Sequence, residues 1–177
     1  MGWLAKIFRA VPEPSGISLN CDQPFWGVWG MTDFPNLLRA LINLLPEDSI
    51  LYFEDGLPDK WLKDFLVARA IQEQAHIVRG TSWPRPLIFH IPATQQNIIA
   101  LAQESEDCAS FDLAMHFLVY QHGRVLLEWY DAFFDDQPML LSGEFPEDKI
   151  RAFSAALSMK YKRWSNMIEY SASLNRQ

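Results

Sequence analysis

Basic residues are almost missing from one long stretch of this chain. Between Glu104 and Asp148 there are eleven carboxylates and a single base, Arg124, which gives a net charge of −10 in a protein whose total is −7. The remaining residues therefore carry +3. Like charges at this density destabilise a fold unless a partner or an ion compensates them. Because the stretch is otherwise apolar and aromatic, we expect a partner or ligand to bind there.

Cysteine is scarce, and long apolar runs are missing. Cys21 and Cys108 form no C-x-x-C pair, which predicts two small, buried, reduced side chains rather than a disulfide framework. The stretch from Met1 to Arg9 is too short and too charged for a signal peptide or a spanning helix. We therefore expect a cytoplasmic protein that does not contact a membrane.

The familiar catalytic motifs are also missing. The sequence has no G-x-x-x-x-G-K-[ST] loop, no G-x-G-x-x-G, no G-x-S-x-G and no H-E-x-x-H. Its four histidines never pair at metal-ligand spacing. We therefore predict no catalytic residue, no cofactor and no metal site. The excess of carboxylates repels phosphates, so direct nucleic-acid binding is not expected either.

Length and composition are those of one globular domain. A chain of 177 residues that is 49% hydrophobic can bury roughly 70% of its extended-chain surface without a covalent staple. We predict a single domain over residues 1–177, with a loosely attached N-terminal segment 1–24 and a frayed C-terminal tail 165–177.

Periodicity and turn signals predict an α+β fold. Helices are predicted to begin near Thr32, Pro58, Thr94 and Pro146. The last helix carries an apolar stripe of Ile150, Phe153, Leu157, Tyr161 and Trp164, with basic residues at its C-terminal end. Strands are predicted at residues 50–54, 76–79, 87–91, 115–121, 124–131 and 139–142. Residues 24–30 contain too much glycine for a strand prediction. We expect a central mixed or mostly antiparallel sheet with helices packed on it.

The clearest element is a hairpin over residues 115–131, with its turn at His122-Gly123. A two-residue turn predicts the pairs Tyr120/Val125, Leu118/Leu127 and His116/Trp129 on one face, and Val119/Leu126 and Phe117/Glu128 on the other. Both faces are apolar over most of their length, so the hairpin should be central and covered on both sides. Glu128 would then face an apolar surface and would need a partner, either Arg85 or a ligand.

The end of this hairpin is the predicted partner-binding edge. Carboxylates surround two phenylalanines just after the second strand, a combination typical of protein-binding surfaces. The edge comprises Trp129, Tyr130, Asp131, Phe133, Phe134, Asp135 and Asp136. A solvated loop is an alternative interpretation. A Mg²⁺ or Ca²⁺ site is another, although the spacing is not that of a calcium-binding loop.

A second group of residues predicts a cleft, if the protein is a small enzyme or ligand-binding domain. This alternative cleft comprises Glu54, Arg85, His90, His116 and Glu128, with Asp131 beside it. A pair of His116 and Asp131 has the groups needed for a general base. The alternative interpretation of His116 is a hydrogen-bonded core histidine.

Four segments carry a resemblance to a group of small uncharacterised bacterial cytosolic proteins. The segments are Leu51-Tyr52-Phe53-Glu54, Trp83-Pro84-Arg85-Pro86 with Phe89-His90, Leu126-Leu127-Glu128-Trp129-Tyr130-Asp131-Ala132-Phe133, and Pro146-Glu147-Asp148-Lys149-Ile150. The resemblance covers about residues 45–155 and implies one bacterial cytosolic domain.

Small size, an acidic balance and an acidic-aromatic cluster favour a protein-binding function. We expect an immunity or inhibitor protein that neutralises a bacterial toxin by covering its basic active site, because carboxylates steer onto basic clefts. A small enzyme using the alternative cleft is the second hypothesis, and an adaptor in a larger assembly is the third. The sequence does not indicate the oligomeric state.

Overall fold

The structure, a computed structural model, describes residues 16–81, 86–132 and 137–174, which form seven strands and six helices. The strands are β1 (Phe25–Trp29), β2 (Ile50–Glu54), β3 (Ile88–Pro92), β4 (His116–Gln121), β5 (Arg124–Trp129), β6 (Met139–Ser142) and β7 (Lys160–Trp164). The helices are α1 (Phe34–Leu41), α2 (Lys60–Arg69), α3 (Gln95–Glu104), α4 (Ser110–Leu113), α5 (Glu147–Ala156) and α6 (Met167–Leu174).

All seven strands belong to one antiparallel sheet in the order β3-β2-β4-β5-β6-β1-β7. The hairpin β4–β5 occupies the third and fourth places, so the prediction of a central hairpin is confirmed. The α+β fold class is confirmed as well. None of the helices within the described residues is both long and apolar enough to cross a bilayer.

The register of the central hairpin differs from the predicted one beyond its first pairs. Tyr120 lies opposite Val125 as predicted, but Val119 lies opposite Leu127, which leaves Leu126 without a partner in β4. This one-residue bulge moves every later side chain of β5 to the other face. As a correction, Glu128 lies opposite Leu118 rather than Phe117. Trp129 lies opposite Phe117 rather than His116.

The two faces of the sheet are covered in different ways. On the first face, Leu51, Phe53, Phe117, Val119, Leu127 and Leu141 pack with apolar residues of α1, α2, α3 and α5 in one large core. On the second face, Ile50, Tyr52, Leu118, Tyr120 and Val125 pack with Leu19 and Ile77. The second face is thus covered by two irregular segments, residues 16–21 and 71–81, which we call the covering segments. A parallel bridge between Ile17 and Ile77 joins them.

Side-chain caps explain where three of the helices begin. Thr94 caps α3 by accepting a hydrogen bond from the Asn97 backbone amide at 3.2 Å, as predicted. The cap of α1 is Asp33 rather than Thr32, since the Asp33 carboxylate accepts from the Asn36 amide at 2.8 Å. Asp59 caps α2 in the same way.

Two strands form where the sequence does not predict a strand. The glycine-rich segment forms β1, in which Gly27 leaves room for a tryptophan: a Cβ there would lie 3.2 Å from the Trp164 indole nitrogen. The helix predicted from Pro146 to Trp164 ends at Ala156, and Ser158 turns the chain with a φ of 55°. Lys160–Trp164 then form β7, because pairing with β1 satisfies the backbone groups that face that strand.

Described residues near both ends of the chain pack against the sheet. Within the segment 1–24, which we expected to be loosely attached, Leu19 is buried; residues 1–15 lie outside the described part. Within the predicted frayed tail 165–177, residues 167–174 form α6. Its Tyr170 meets Phe25 and Trp164 edge-on. The predicted strand at 76–79 is reduced to the single bridge at Ile77.

Candidate functional site

The predicted partner-binding edge is only partly at the surface. Trp129 is buried, and its indole N–H donates to the Gln137 carbonyl at 3.0 Å. The Tyr130 hydroxyl donates to the Val78 carbonyl at 2.8 Å, which ties that side chain to a covering segment. Asp131 has a side chain that is 58% exposed. The other four residues of the edge, Phe133, Phe134, Asp135 and Asp136, lie outside the described residues.

Glu54, the last residue of β2, is a fully buried carboxylate. It accepts hydrogen bonds from the Tyr52 hydroxyl at 2.7 Å and from the backbone amides of Gly80 and Thr81 at 3.2 and 2.8 Å. Burial, together with the hydrogen bond to Glu54, raises the pKa of Tyr52, so its hydroxyl keeps the proton it donates. Glu54 therefore holds the second covering segment on the sheet.

His116 lies opposite Glu54 at the start of β4 and is also buried. Its Nδ1 accepts a hydrogen bond from the Asp131 backbone amide at 3.0 Å, which in the neutral ring assigns the proton to Nε2. The Asp131 carboxylate is farther away, at 3.9 Å. The arrangement matches the interpretation of His116 as a hydrogen-bonded core histidine.

Gly80 closes the second covering segment over His116. A Cβ at this position would lie 2.5 Å from His116 Cδ2 and 2.6 Å from Tyr130 Cδ1, which no real side chain tolerates. The ring of Tyr130 meets the ring of His116 edge-on, with the centroids 5.5 Å apart. Glycine is therefore required here for the amides of residues 80 and 81 to reach Glu54.

Glu128 also points to the second face, because of the bulge at Leu126. Its Oε2 accepts a hydrogen bond from the Leu19 backbone amide at 2.9 Å. Burial raises the pKa of Glu128, and the Leu19 hydrogen bond opposes that rise. Arg85, the partner that the sequence suggested, lies outside the described residues. No sequence signal identifies Leu19 as the donor, since the contact depends on how residues 16–21 cross the sheet.

His90 completes the described part of the alternative cleft. It is buried, and its Nδ1 lies 2.9 Å from the Tyr120 hydroxyl. Burial lowers the pKa of His90. The structure thus brings Glu54, His90, His116 and Glu128 onto one face of the sheet, where each one bonds to groups of the protein itself. Two of them, Glu54 and Glu128, hold the covering segments in place through the amides of these segments. The two histidines bond instead to Tyr120 and to the Asp131 amide.

A depression of about 910 Å³ lies away from these residues, where β2 begins, β3 ends and the hairpin turns. Its lining includes Ile50, Pro92 and His122 and no described residue of the alternative cleft. The structure therefore separates the buried ionisable side chains from this open space.

The structure has an exposed apolar patch that the sequence did not predict. Its residues lie around the start of α2 and in α4. Leu57, Trp61 and Phe111 are 70%, 56% and 53% exposed. The Leu57 amide donates to the Phe111 carbonyl at 3.2 Å, which joins the two segments. Trp61, Leu62, Phe65 and Leu66 recur at helical spacing, which predicts one apolar stripe on this helix. The structure buries only Leu62 and Leu66.

Carboxylates adjoin this patch in the chain: Asp59 lies between Leu57 and Trp61, and Asp112 follows Phe111. Burial raises the pKa of the Cys108 thiol, and four neighbouring carboxylates raise it further: Asp112, Asp59, Asp107 and Glu104. These carboxylates and the exposed apolar residues form what we call the acidic-aromatic surface: Leu57, Asp59, Trp61, Glu104, Asp107, Phe111 and Asp112. It combines aromatic anchors with negative charge, as the predicted edge was expected to do.

The acidic-aromatic surface and the predicted edge lie at the same end of the sheet. The strands β2 and β5 end there, and β4 begins there, as their antiparallel pairing requires. Backbone hydrogen bonds connect the segments: Met115 donates to Glu54 at 3.0 Å, and Ala132 donates to Met115 at 2.8 Å. Asp131 is therefore at the border of the described surface.

Neither a metal site nor similarity to a known protein assigns an activity to this end of the sheet. Among the residues that the structure describes, no three His, Cys, Asp or Glu side chains are grouped so that they could hold a metal ion. Comparisons of the chain with protein-family models, with curated proteins and with solved structures found no match.

Proposed function

We propose that this protein is an immunity or inhibitor protein that binds a basic partner through the acidic-aromatic surface. The partner is a bacterial toxin domain, and the complex forms in the cytoplasm by covering the basic active site of the toxin. The observation that carries the proposal is the exposure of Leu57, Trp61 and Phe111, which Asp59 and Asp112 adjoin in the chain.

The exposed aromatics support binding rather than folding. Trp61 and Phe111 expose more than half of their surface to water. Aromatic side chains of this kind are the residues most often found as energetic hot spots in interfaces. Leu57 adds exposed apolar area beside Phe111, to whose carbonyl its amide donates a hydrogen bond.

The carboxylates support a partner of opposite charge. Within the described residues, neither Glu104 nor Asp107 forms an ion pair, although Glu106 pairs with Arg39 and Glu144 with Arg124. Uncompensated charge at a rim accelerates association with a basic partner and excludes acidic ones. A basic catalytic cleft, as in many enzymes that act on phosphate-containing substrates, has the complementary potential.

The test is neutralisation of a toxin by matched variants. A toxin that co-purifies with the chain from its native host is expressed with wild-type protein, with the double variant Trp61→Ala and Phe111→Ala, and with the control Ile168→Ala. Ile168 is 81% exposed and lies on α6. We expect growth to be protected by the wild type and the control and lost with the double variant. Protection by all three proteins would show that the toxin does not bind through this surface. A partner without toxicity would refute the immunity function.

A further inference from the structure

The bases of this protein are concentrated just after its acidic stretch. Residues 149–168 contain Lys149, Arg151, Lys160, Lys162 and Arg163 and no carboxylate. Three of these, Lys160, Lys162 and Arg163, are exposed side chains of β7. The hydrogen bond from the Ser165 amide lowers the pKa of Glu169, and the nearby Lys162 ammonium lowers it further. The strand therefore presents a net positive surface.

β7 is also an open edge of the sheet. It pairs with β1 on one side, and within the described residues its other side forms no backbone hydrogen bond. The opposite edge, β3, differs, because the Ile71 amide donates to the His90 carbonyl at 2.8 Å. In an antiparallel pair, alternate residues direct their N–H and C=O groups outward, so β7 offers these groups to an added strand.

The bases of β7 lie on both faces of the sheet and contact tryptophan rings. The Lys162 ammonium lies 3.6 Å from the Trp164 ring centroid, on the second face. The Arg163 guanidinium lies 5.2 Å from the Trp26 ring centroid, on the first face. Both rings are buried, which leaves no open aromatic face on which a nucleic-acid base could stack.

We propose that the open edge of β7 binds an extended acidic peptide segment of a partner protein as an eighth strand. The added strand pairs with the outward backbone groups, and its carboxylates meet Lys160 and Lys162 on one face and Arg163 on the other. The charge of β7 also rejects a second copy of this chain. An antiparallel pair of two β7 strands centred on Lys162 would place that lysine opposite its own copy.

The test uses a fluorescent peptide of about eight residues in which glutamate alternates with threonine or valine. A matched peptide carries N-methyl groups on alternate residues, so it keeps the charge and loses the backbone donors. In fluorescence anisotropy at low ionic strength, we expect the first peptide to bind at least about tenfold more tightly than the second. A peptide with lysine in place of glutamate is not expected to bind.

Matched protein variants separate the edge from charge in general. The double variant Lys160→Glu with Lys162→Glu should bind the acidic peptide at least about tenfold more weakly than the wild type does. Lys60→Glu with Lys63→Glu makes the same charge change on exposed residues of α2 and should bind as the wild type does. If the reversal prevents folding, Lys160→Gln with Lys162→Gln provides the same comparison. Equal binding of the N-methyl peptide, unchanged binding by the β7 variants, or dimers of the free protein would each overturn the proposal.

Discussion

At the residue scale, the buried carboxylate of Glu54 is the strongest polar restraint on the second face. Its three donors are the Tyr52 hydroxyl and the amides of Gly80 and Thr81. Removing the carboxylate takes away the acceptor that these three donors share. We therefore expect Glu54→Ala to lower the free energy of unfolding by about 3 kcal/mol or more, measured by urea denaturation.

Glu54→Gln is the conservative control, because it keeps one acceptor and the shape of the side chain. It should cost less than the alanine variant. In both variants the amides of Gly80 and Thr81 should exchange with solvent faster than in the wild type. Slow exchange of these amides in Glu54→Ala would show that another group holds the covering segment.

Two buried tryptophans differ in whether their indole N–H has an acceptor. Trp26 donates to the Phe145 carbonyl at 3.1 Å, whereas the Trp164 nitrogen is buried with no hydrogen-bond partner in the described structure. Trp26→Phe leaves that carbonyl unpaired, but Trp164→Phe removes an unsatisfied donor. Thermal or urea denaturation should show Trp26→Phe to be the more destabilising by about 1–3 kcal/mol. An equal loss in both variants would contradict this account.

The raised pKa of Glu128 predicts how stability depends on pH. Because burial raises the pKa of the folded carboxyl above its ordinary value of 4.5, the folded state holds this proton more tightly than the unfolded state. That contribution is fully present below pH 4.5 and is lost as the pH rises through the folded pKa. At pH 7, Glu128→Gln should therefore be more stable than the wild type.

The advantage of Glu128→Gln should shrink as the pH falls to about 4, in denaturation curves recorded across this range. Glu147→Gln makes the same charge change at an exposed position and reports the general effect of lowering the net negative charge. A Glu128→Gln advantage that stays constant with pH would mean that burial of the charge is not its cause.

At the element scale, the central hairpin should carry a large part of the stability. Leu127 is fully buried in β5, on the face that packs against the helices. Truncating it to alanine should cost about 2–5 kcal/mol in urea denaturation. Leu57→Ala removes the same atoms from a side chain that is 70% exposed, and a cost below about 0.5 kcal/mol is expected. Similar costs for the two variants would show the hairpin to be peripheral.

The elements also show which sequence patterns were sufficient. The Thr94 cap, the His122-Gly123 turn and the run of residues 139–142 each appear where predicted, since a cap or a turn depends on a few neighbouring residues. β7 was misassigned to a helix because Tyr161 and Trp164 continue the helical spacing of α5. The choice between helix and strand there depended on β1, which lies more than 100 residues away in the sequence.

At the scale of the whole molecule, the carboxylates and the rings of the acidic-aromatic surface should act on different steps of binding. Asp107 is an exposed carboxylate of the acidic-aromatic surface, and Phe111 is its exposed ring. For a captured basic partner, Asp107→Asn should slow association, most strongly at low salt, while Phe111→Ala should mainly raise the dissociation rate. Stopped-flow or surface-based kinetics measures both, with Asp148→Asn as the control for charge.

The Phe111→Ala variant should cost about 2 kcal/mol or more of binding free energy if the ring is a hot spot. The variants Asp135→Asn, Asp136→Asn and Phe134→Ala test the predicted partner-binding edge in the same assay. A partner that binds all these variants as it binds the wild type would place the interface elsewhere on the molecule.

Local sequence patterns were enough to predict the α+β class, the central hairpin, most helix starts and the acidic character of the surface that we propose binds a partner. These follow from caps, turns, periodicity and charge, which act over short distances or over whole segments. Only the tertiary structure decided which side chains are available. A single unpaired residue, Leu126, turned Glu128 towards Leu19 and placed Trp129 opposite Phe117 on the first face. Trp61 and Phe111 stayed exposed on their helices. The physical reason is that strand register and the docking of covering segments are set by contacts between residues distant in the chain, which no local pattern encodes.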